Sequence, residues 1–278
     1  MSIPASRRAP PVRVTSPANP VFKSALALAT PHGRKKYGLV LIEGFRAAGA
    51  ALESGAAGGF ALATREALGT PRGKEMAGKL ALAGIPLYEL DHGLFFRVAR
   101  TESPQGFALA CAPRKGSLAE ALRTDFVVVA DHIQDPGNLG ALARSARAFG
   151  AGGLLATTGT ADFGNPKVLR ASAGTLPGLP VSAGHEPAAL AEELSARGFR
   201  FVVADARGTR DFRDEPWRGR VALVIGSEAH GVSDEFVRRS RARVRIPLAG
   251  GVESLNAAAA AAVLLAEAAR KRSLGKNP

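Results

Sequence analysis

Five successive apolar residues, Phe126-Val127-Val128-Val129-Ala130, constrain this chain more than any other stretch. A strand with one wet face alternates apolar and polar positions. A continuous run belongs to a strand buried on both faces, as in a parallel sheet covered by helices. Further strand segments fall at 153–156, 201–203, 221–225 and 244–246. Helical patterns occupy 139–149, 167–174, 188–197, 233–239 and 256–270. Such alternation predicts an α/β domain with a parallel sheet and helices on both sides. Ligands of such sheets bind at the carboxyl ends of the strands, where the glycine-rich stretches of this half lie.

The first half also alternates. A helix is predicted over 21–30, and a strand over 38–42 that leads through Glu43-Gly44 into a helix ending near Leu52. A strand at 60–64, a helix at 74–83 and strands at 86–90 and 107–112 follow, which makes a smaller α/β sandwich over 19–112. Pro113, Arg114, Lys115, Gly116 and Ser117 open a linker over 113–123, and 124–278 form the second domain. Residues 1–18, rich in Pro, Ser and Arg, read as a flexible basic tail.

Charge narrows the partner. The 278 residues carry a net charge of +13. Residues 1–36 hold Arg7, Arg8, Arg13, Lys23, Arg34, Lys35 and Lys36 with no acid before Glu43. Unopposed charge of this density points to a polyanion, most simply nucleic acid, and these seven side chains are the candidate phosphate contacts. Aromatic residues make up only 6% of the chain, so phosphate and shape contacts are favoured over base stacking. One cysteine, Cys111, sits in an apolar run and reads as a buried structural thiol; it excludes an intramolecular disulfide. The five histidines show no metal-ligand spacing, and no metal site is expected. No apolar run reaches the roughly 18 residues of a membrane span, and no secretion signal follows Arg7 and Arg8, so a cytoplasmic location is expected.

Three segments can carry chemistry. In Asp131-His132-Ile133-Gln134-Asp135-Pro136-Gly137-Asn138-Leu139-Gly140, Asn138 is the expected cap of the next helix. Arg144 lies six positions on, roughly 240° around the helix. It reads either as a surface residue or as a grip on RNA phosphate. Val224-Ile225-Gly226-Ser227-Glu228-Ala229-His230-Gly231 lacks the Lys-Ser or Lys-Thr of a phosphate loop and the frame of a nucleophile elbow. Gly150-Ala151-Gly152-Gly153 precedes a strand, so it is no dinucleotide fingerprint. The last segment runs from Arg245-Ile246-Pro247-Leu248 through Gly250-Gly251 to Glu253-Ser254-Leu255-Asn256 and an alanine-rich helix. Its glycines allow a sharp turn, and Ser254 and Asn256 are good caps, so strand, turn and helix start make a cradle for a polar small molecule.

Together these segments resemble the three motifs of SpoU-type RNA ribose methyltransferases of the SPOUT superfamily. Asp135-Pro136-Gly137-Asn138-Leu139-Gly140 with Arg144 is similar to the first, Ile225-Gly226-Ser227-Glu228 with Gly231 to the second, and Ile246-Pro247 with Ser254-Leu255-Asn256 to the third. Asn19-Pro20-Val21 with Lys23, Leu41-Ile42-Glu43-Gly44 and Thr101-Glu102-Ser103-Pro104-Gln105-Gly106 are similar to that family's RNA substrate-binding domain. Gly137 and Ala257-Ala258 depart from the pattern, where a larger residue and Val-Ser are common.

The resemblance implies 2′-O-methyl transfer from S-adenosyl-L-methionine to an RNA ribose, ribosomal RNA in preference to transfer RNA. It further implies a trefoil-knotted C-terminal domain and a homodimer. A non-catalytic RNA-binding protein on the same fold, and methylation of a base, are the other readings. Carried onto this chain, the cofactor would lie against Ala204, Asp205, Ile225, Gly226, Ile246, Leu248, Ser254 and Leu255. Arg144, Asn138, Glu228, Ser254 and Asn256 would form the catalytic group. Arg144 is then a stabiliser of phosphate and alkoxide, since a guanidinium is protonated at any ordinary pH. Asn138 would orient Arg144 or the ribose and Glu228 would fix Asn138, while Ser254 and Asn256 fit helix capping as well as catalysis.

Overall fold

A computed structural model of the protein describes residues 11–56, 58–112 and 116–274. Contacts divide it into two compact units, one holding the residues before 113 together with Gly164–Pro177, the other holding 116–163 and Gly178 onward.

The first unit is built on a five-stranded sheet ordered β1-β4-β3-β5-β2. Its strands are β1 (Val12–Val14), β2 (Val40–Glu43), β3 (Phe60–Thr64), β4 (Leu87–Leu90) and β5 (Phe107–Cys111). β5 runs antiparallel to both β2 and β3, while β1, β4 and β3 are parallel. Every side chain of β3 and β5 is buried, Cys111 included, and burial pushes its thiol up to about 12. The helices are α1 (Pro20–Ala27), α2 (Pro31–Tyr37), α3 (Phe45–Glu53), α4 (Arg65–Gly69), α5 (Pro71–Leu82) and α6 (His92–Val98).

Four features of this unit differ from the sequence reading, one being the short α4, capped by Thr64, whose hydroxyl accepts from the Ala67 N–H. Residues 12–14 are not tail but an edge strand: Val12 pairs with Tyr88 and Val14 with Leu90, and Val14 is buried beside Phe22. Two valines around one arginine are too short a pattern to stand out, and pairing with β4 decides the conformation. α2 has no apolar periodicity; caps define it instead. Thr30 accepts from the Gly33 N–H at one end, and Gly38 closes the other with φ +65°. Gly33 is obligatory, because a Cβ there would come within 1.9 Å of the Ala27 carbonyl oxygen. α6 went unpredicted although Leu94, Phe95 and Val98 make a buried stripe.

The second unit carries a seven-stranded, all-parallel sheet ordered β10-β12-β9-β11-β6-β7-β8. A short α7 (Leu118–Ala121) precedes β6 (Phe126–Asp131), followed by α8 (Pro136–Ala148) and β7 (Gly153–Thr157). α9 (Pro166–Ala171) belongs to the first unit, where it rests on β2. Within that unit Gly174 lies so close to Ala47 that a Cβ would meet the Ala47 Cα at 2.7 Å. The span 124–278 assigned to one domain from sequence therefore lends 164–177 to the other unit.

β8 (Val181–His185), α10 (Pro187–Ala196), β9 (Arg200–Ala204) and the two-residue β10 (Arg210–Asp211) come next. β11 (Val221–Gly226), α11 (Asp234–Arg239), β12 (Ser240–Arg245) and α12 (Ala257–Leu274) complete the unit. Val127, Val129, Phe201, Val203 and Val224 pack with Leu190, Leu194 and Phe236 of α10 and α11, while α12 packs on α8 and β11. β9, β11 and β6, apolar apart from Arg200 and Asp131 at their ends, are the three central strands; β8 and β10, missed from sequence, are half-exposed edges without an apolar run. Lys271 donates to the carbonyls of Arg213 and Glu215, and Arg272 to those of Trp217 and Gly219, which ties the end of α12 to the loop before β11.

Candidate active site

Because the seven strands are parallel, β6, β9, β11 and β12 all deliver their carboxyl ends to one edge. The first functional element there is the start of α8. Its cap is Asp135, not Asn138: the Asp135 carboxylate accepts from the Asn138 N–H at 2.8 Å, and Pro136 occupies the first helical position. Displacement from the cap frees the Asn138 side chain. Its Nδ2 donates to Glu228 Oε1 at 2.8 Å, and its Oδ1 accepts from Asn256 Nδ2 at 2.9 Å.

Asn256 Nδ2 also donates to Glu228 Oε1 at 2.9 Å, and the Ala257 N–H reaches the same oxygen at 3.2 Å. Asn256 Oδ1 accepts from the Ala258 and Ala259 N–H groups at 3.0 and 3.2 Å, so Asn256 is the cap of α12, as expected. One carboxylate oxygen thus gathers three donors from two helices. Ionised acceptors make the stronger hydrogen bonds, and a carboxylate at the start of α12 meets the positive end of its dipole. All three sequence segments meet at Glu228.

The loop that carries Glu228 is itself held at both ends. Ser227 and Gly231 exchange backbone hydrogen bonds at 3.1 and 2.8 Å, and Gly231 takes φ +71°. A Cβ on Gly226 would lie 2.2 Å from the Gly231 carbonyl carbon, so this close approach requires glycine. At the far end Ser233 donates through its N–H and hydroxyl to Asp131 Oδ2, at 2.7 and 2.6 Å. Asp131 Oδ1 accepts from Thr157 Oγ1 at 2.8 Å and faces His132 Nδ1 at 2.9 Å. Asp131 is fully buried, and four polar partners compensate its desolvation. Sequence reasoning missed this residue as a site member; an acid closing an otherwise apolar buried strand was the available signal.

Between β12 and α12, residues 246–255 make no backbone hydrogen bond to any other element among the described residues. The chain turns at Gly250 and Gly251, with φ +70° and +72°. Leu248 is 36% and Val252 55% exposed, large apolar surfaces left to solvent. Ile246 and Leu255 are half-buried; Ser254 is exposed and has no hydrogen-bond partner among the described residues. A strip of unpaired backbone donors and acceptors flanked by apolar side chains suits an adenosyl group, whose base needs edge contacts and covered faces. Ile225 is buried in the core, so only its backbone can face a ligand. Gly226 and Ala204 are half-buried at the strand ends. Asp205 is engaged elsewhere: Arg243 Nε donates to it at 3.0 Å and the Arg207 N–H at 2.8 Å. Burial pushes its carboxyl up, but the bonds from Arg243 and Arg207 outweigh this and hold it below its ordinary value.

Arg144 is exposed on α8, with no ion pair or hydrogen bond among the described residues. Six residues beyond Asn138 it stands about 9 Å along the helix axis, free to meet a ligand. Of the proposed RNA contacts, Lys23, Lys35 and Lys36 are exposed, while Arg13 pairs with Asp91 at 3.2 Å. Arg34 is turned inward, 8% exposed, and its Nη1 donates to the carbonyls of Leu28 and Ala29. Arg7, Arg8 and the linker residues Pro113, Arg114 and Lys115 lie outside the described residues.

Comparison with known proteins bears on this geometry. The model of the SpoU rRNA Methylase family matches residues 125–266, and that of the MRM3-like substrate binding domain matches 19–109. The chain is 35% identical to the 23S rRNA (guanosine(2553)-2′-O)-methyltransferase of Bacillus subtilis over 66% of its own length and 72% of that protein. It is 29% identical to an uncharacterized tRNA/rRNA methyltransferase of Synechocystis sp. over 95% of this chain and 96% of that one. Among solved structures, the SpoU methyltransferase AviRb of Streptomyces viridochromogenes in complex with AdoMet superposes with a TM-score of 0.82. It is 30% identical and covers 92% of this chain and all (100%) of its own.

Proposed function

The chain belongs to the SpoU methylase family and is an RNA methyltransferase that uses S-adenosyl-L-methionine, and from that premise we propose that it methylates the 2′-hydroxyl of a ribose in ribosomal RNA. The observation that carries the reading is the junction at Glu228, which locks the start of α8, the loop after β11 and the start of α12 together beside the unpaired 246–255 backbone. The ribose and ribosomal preferences are supported by the B. subtilis relative, itself named a 23S rRNA 2′-O-methyltransferase.

In this reading Ile225, Gly226, Ile246, Leu248 and Leu255, with Ala204 and Asp205 at the rim, hold the cofactor, which when bound supplies an electrophilic methyl group on sulfonium. Arg144 holds the RNA phosphate next to the reacting ribose. Its fixed positive charge also favours the ionised hydroxyl, because a nearby cation stabilises the charged form of an acid. With the cofactor bound, the hydroxyl oxygen would take the methyl carbon as the sulfur–carbon bond breaks, leaving the neutral thioether S-adenosylhomocysteine, and the hydroxyl proton would pass to solvent water. Asn138, Glu228 and Asn256 keep Arg144's helix and the cofactor loop in fixed register, so much of the rate comes from alignment. Ser254 lines the same connection.

The reading also takes in a trefoil knot and a homodimer. The knot is supported by the likeness to SpoU methyltransferase structures, and the dimer by Val263, an apolar side chain exposed on α12. It places the protein where RNA is processed, in the cytoplasm. Residues 19–112 are assigned to RNA binding, with Arg7, Arg8, Arg13, Lys23, Lys35 and Lys36 on phosphate.

The test is methyl transfer from labelled S-adenosyl-L-methionine to unmodified ribosomal and transfer RNA transcripts. Incorporation into the ribosomal transcript, abolished by 2′-deoxy substitution at the acceptor, is expected. Preferential labelling of transfer RNA, or labelling that survives the deoxy substitution, would overturn the substrate assignment.

A further inference from the structure

The first unit contains a cleft of about 810 Å³ along α3 and α5, with Arg170 of α9 on its wall. Its size falls within the roughly 300–1,000 Å³ of small-ligand sites. The two helices lie in parallel register. Gly49 faces Met76, with 3.6 Å from a Cβ position to the methyl, and Glu53 meets Lys79 at 3.2 Å. About one turn earlier on each helix stand Arg46 and Arg72, so both arginines occupy the end where both helix dipoles are positive.

The acids of the cleft are engaged within it. Lys79 bridges Glu53 and Glu75 at 3.2 and 3.1 Å, and Glu43 accepts from the Arg100 N–H at 2.8 Å and from Thr101 at 3.1 Å. Arg46, Arg72 and Arg170 are exposed and have no ion pair or hydrogen bond among the described residues. Beside them Phe45 is half-buried and stacked on Phe107, with ring centroids 4.7 Å apart. Gln105 Oε1 is held by the Phe45 N–H at 3.3 Å, which leaves its amide donors free.

Three guanidinium groups without a partner among the described residues, an apolar aromatic wall and one amide fit an anion attached to a flat heterocycle. Building on the RNA methyltransferase reading, we propose that this cleft binds an unpaired nucleotide of the RNA substrate, with its phosphates on Arg46, Arg72 and Arg170 and its base between the Phe45 wall and Gln105. Only an unstacked base can enter such a cleft, since base edges of an RNA duplex are hard to reach. The cleft therefore selects a loop or bulge, while the acceptor ribose is met by the other unit.

The experiment uses the full chain and an unmodified ribosomal RNA transcript containing 4-thiouridine. Photocrosslinks are expected in the peptides carrying Phe45 and Gln105. The R46A/R72A/R170A variant should bind the transcript at least tenfold more weakly at about 100 mM salt. Its plot of log affinity against log salt should be shallower by about 2, from about 0.7 per lost phosphate contact on single strands. The R46K/R72K/R170K variant should keep the salt slope. Unchanged affinity and slope in the alanine variant, crosslinks confined to other peptides, or tighter binding of a polyglutamate peptide than of RNA overturns the cleft assignment. The wild type separates the two readings: S-adenosyl-L-methionine binding that survives while the cleft variants act like wild type sinks the cleft alone. A wild type that binds no cofactor sinks the methyltransferase reading and the cleft's role with it.

Discussion

Replacing Glu228 by glutamine keeps the shape of the side chain at the junction of the three segments and removes its charge. In the wild type, Oε1 accepts from Asn138 Nδ2, Asn256 Nδ2 and the Ala257 N–H at 2.8, 2.9 and 3.2 Å. Bonds to a charged acceptor contribute about 1.5–3 kcal/mol and neutral ones about 0.5–1.5, so each loses on the order of 1 kcal/mol. Glu228 is exposed, and solvent screening reduces the total to about 1–2 kcal/mol. For a unit of this size that corresponds to a fall in Tm of about 3–6 °C. The junction also aligns the cofactor loop with α8, so kcat/KM should fall at least tenfold while RNA affinity holds. Calorimetry and methyl-transfer kinetics read the two effects. A double-mutant cycle with N138A should return a coupling of about 0.5–3 kcal/mol. Unchanged Tm and kcat/KM in E228Q, or strict additivity in the cycle, would refute the idea that Glu228 organises the site.

R144A should abolish methyl transfer yet change stability by no more than about 0.5 kcal/mol, because the residue is exposed and has no partner among the described residues; denaturant unfolding beside an activity assay checks both. D131N should cost about 2–4 kcal/mol, since its buried carboxylate serves Ser233, Thr157 and His132 at once, and should weaken S-adenosyl-L-methionine binding by loosening the loop after β11. Asp205 has a carboxyl depressed below its ordinary 3.8, so its pair with Arg243 stabilises the fold above that value and the contribution is lost as pH falls through the lower folded-state one. Wild type should therefore exceed D205N in Tm at pH 7, with the gap closing below about pH 4; a gap that widens in acid contradicts the assignment.

Much of the second unit was legible because its central strands are buried on both faces and so carry uninterrupted apolar runs, as in residues 126–130 and 221–225. What escaped was decided by tertiary contacts or by end caps without apolar periodicity. β1 is strand because β4 pairs with it, and α2 is helix because Thr30 and Gly38 close its ends. The site residues were readable as types at spacings, but their partners were not. Asn138 looked like the helix cap, and only the geometry of Asp135 and Pro136 shows that the amide is released to reach Glu228, ninety positions away in the chain. Arg34 counted as surface charge, yet two nearby carbonyls draw it inward. Segment 164–177 reads as an ordinary strand connection, and nothing in its composition says that it packs with the other unit.

The central claim is that this site places a methyl group on ribose oxygen. Reaction of unmodified ribosomal RNA with S-adenosyl-L-methionine bearing a deuterated methyl group, followed by nucleoside mass spectrometry, tests it most directly. The account predicts the label on the sugar fragment of a single nucleoside and none with R144A. Label on a base fragment, or equal sugar labelling by R144A, would contradict it.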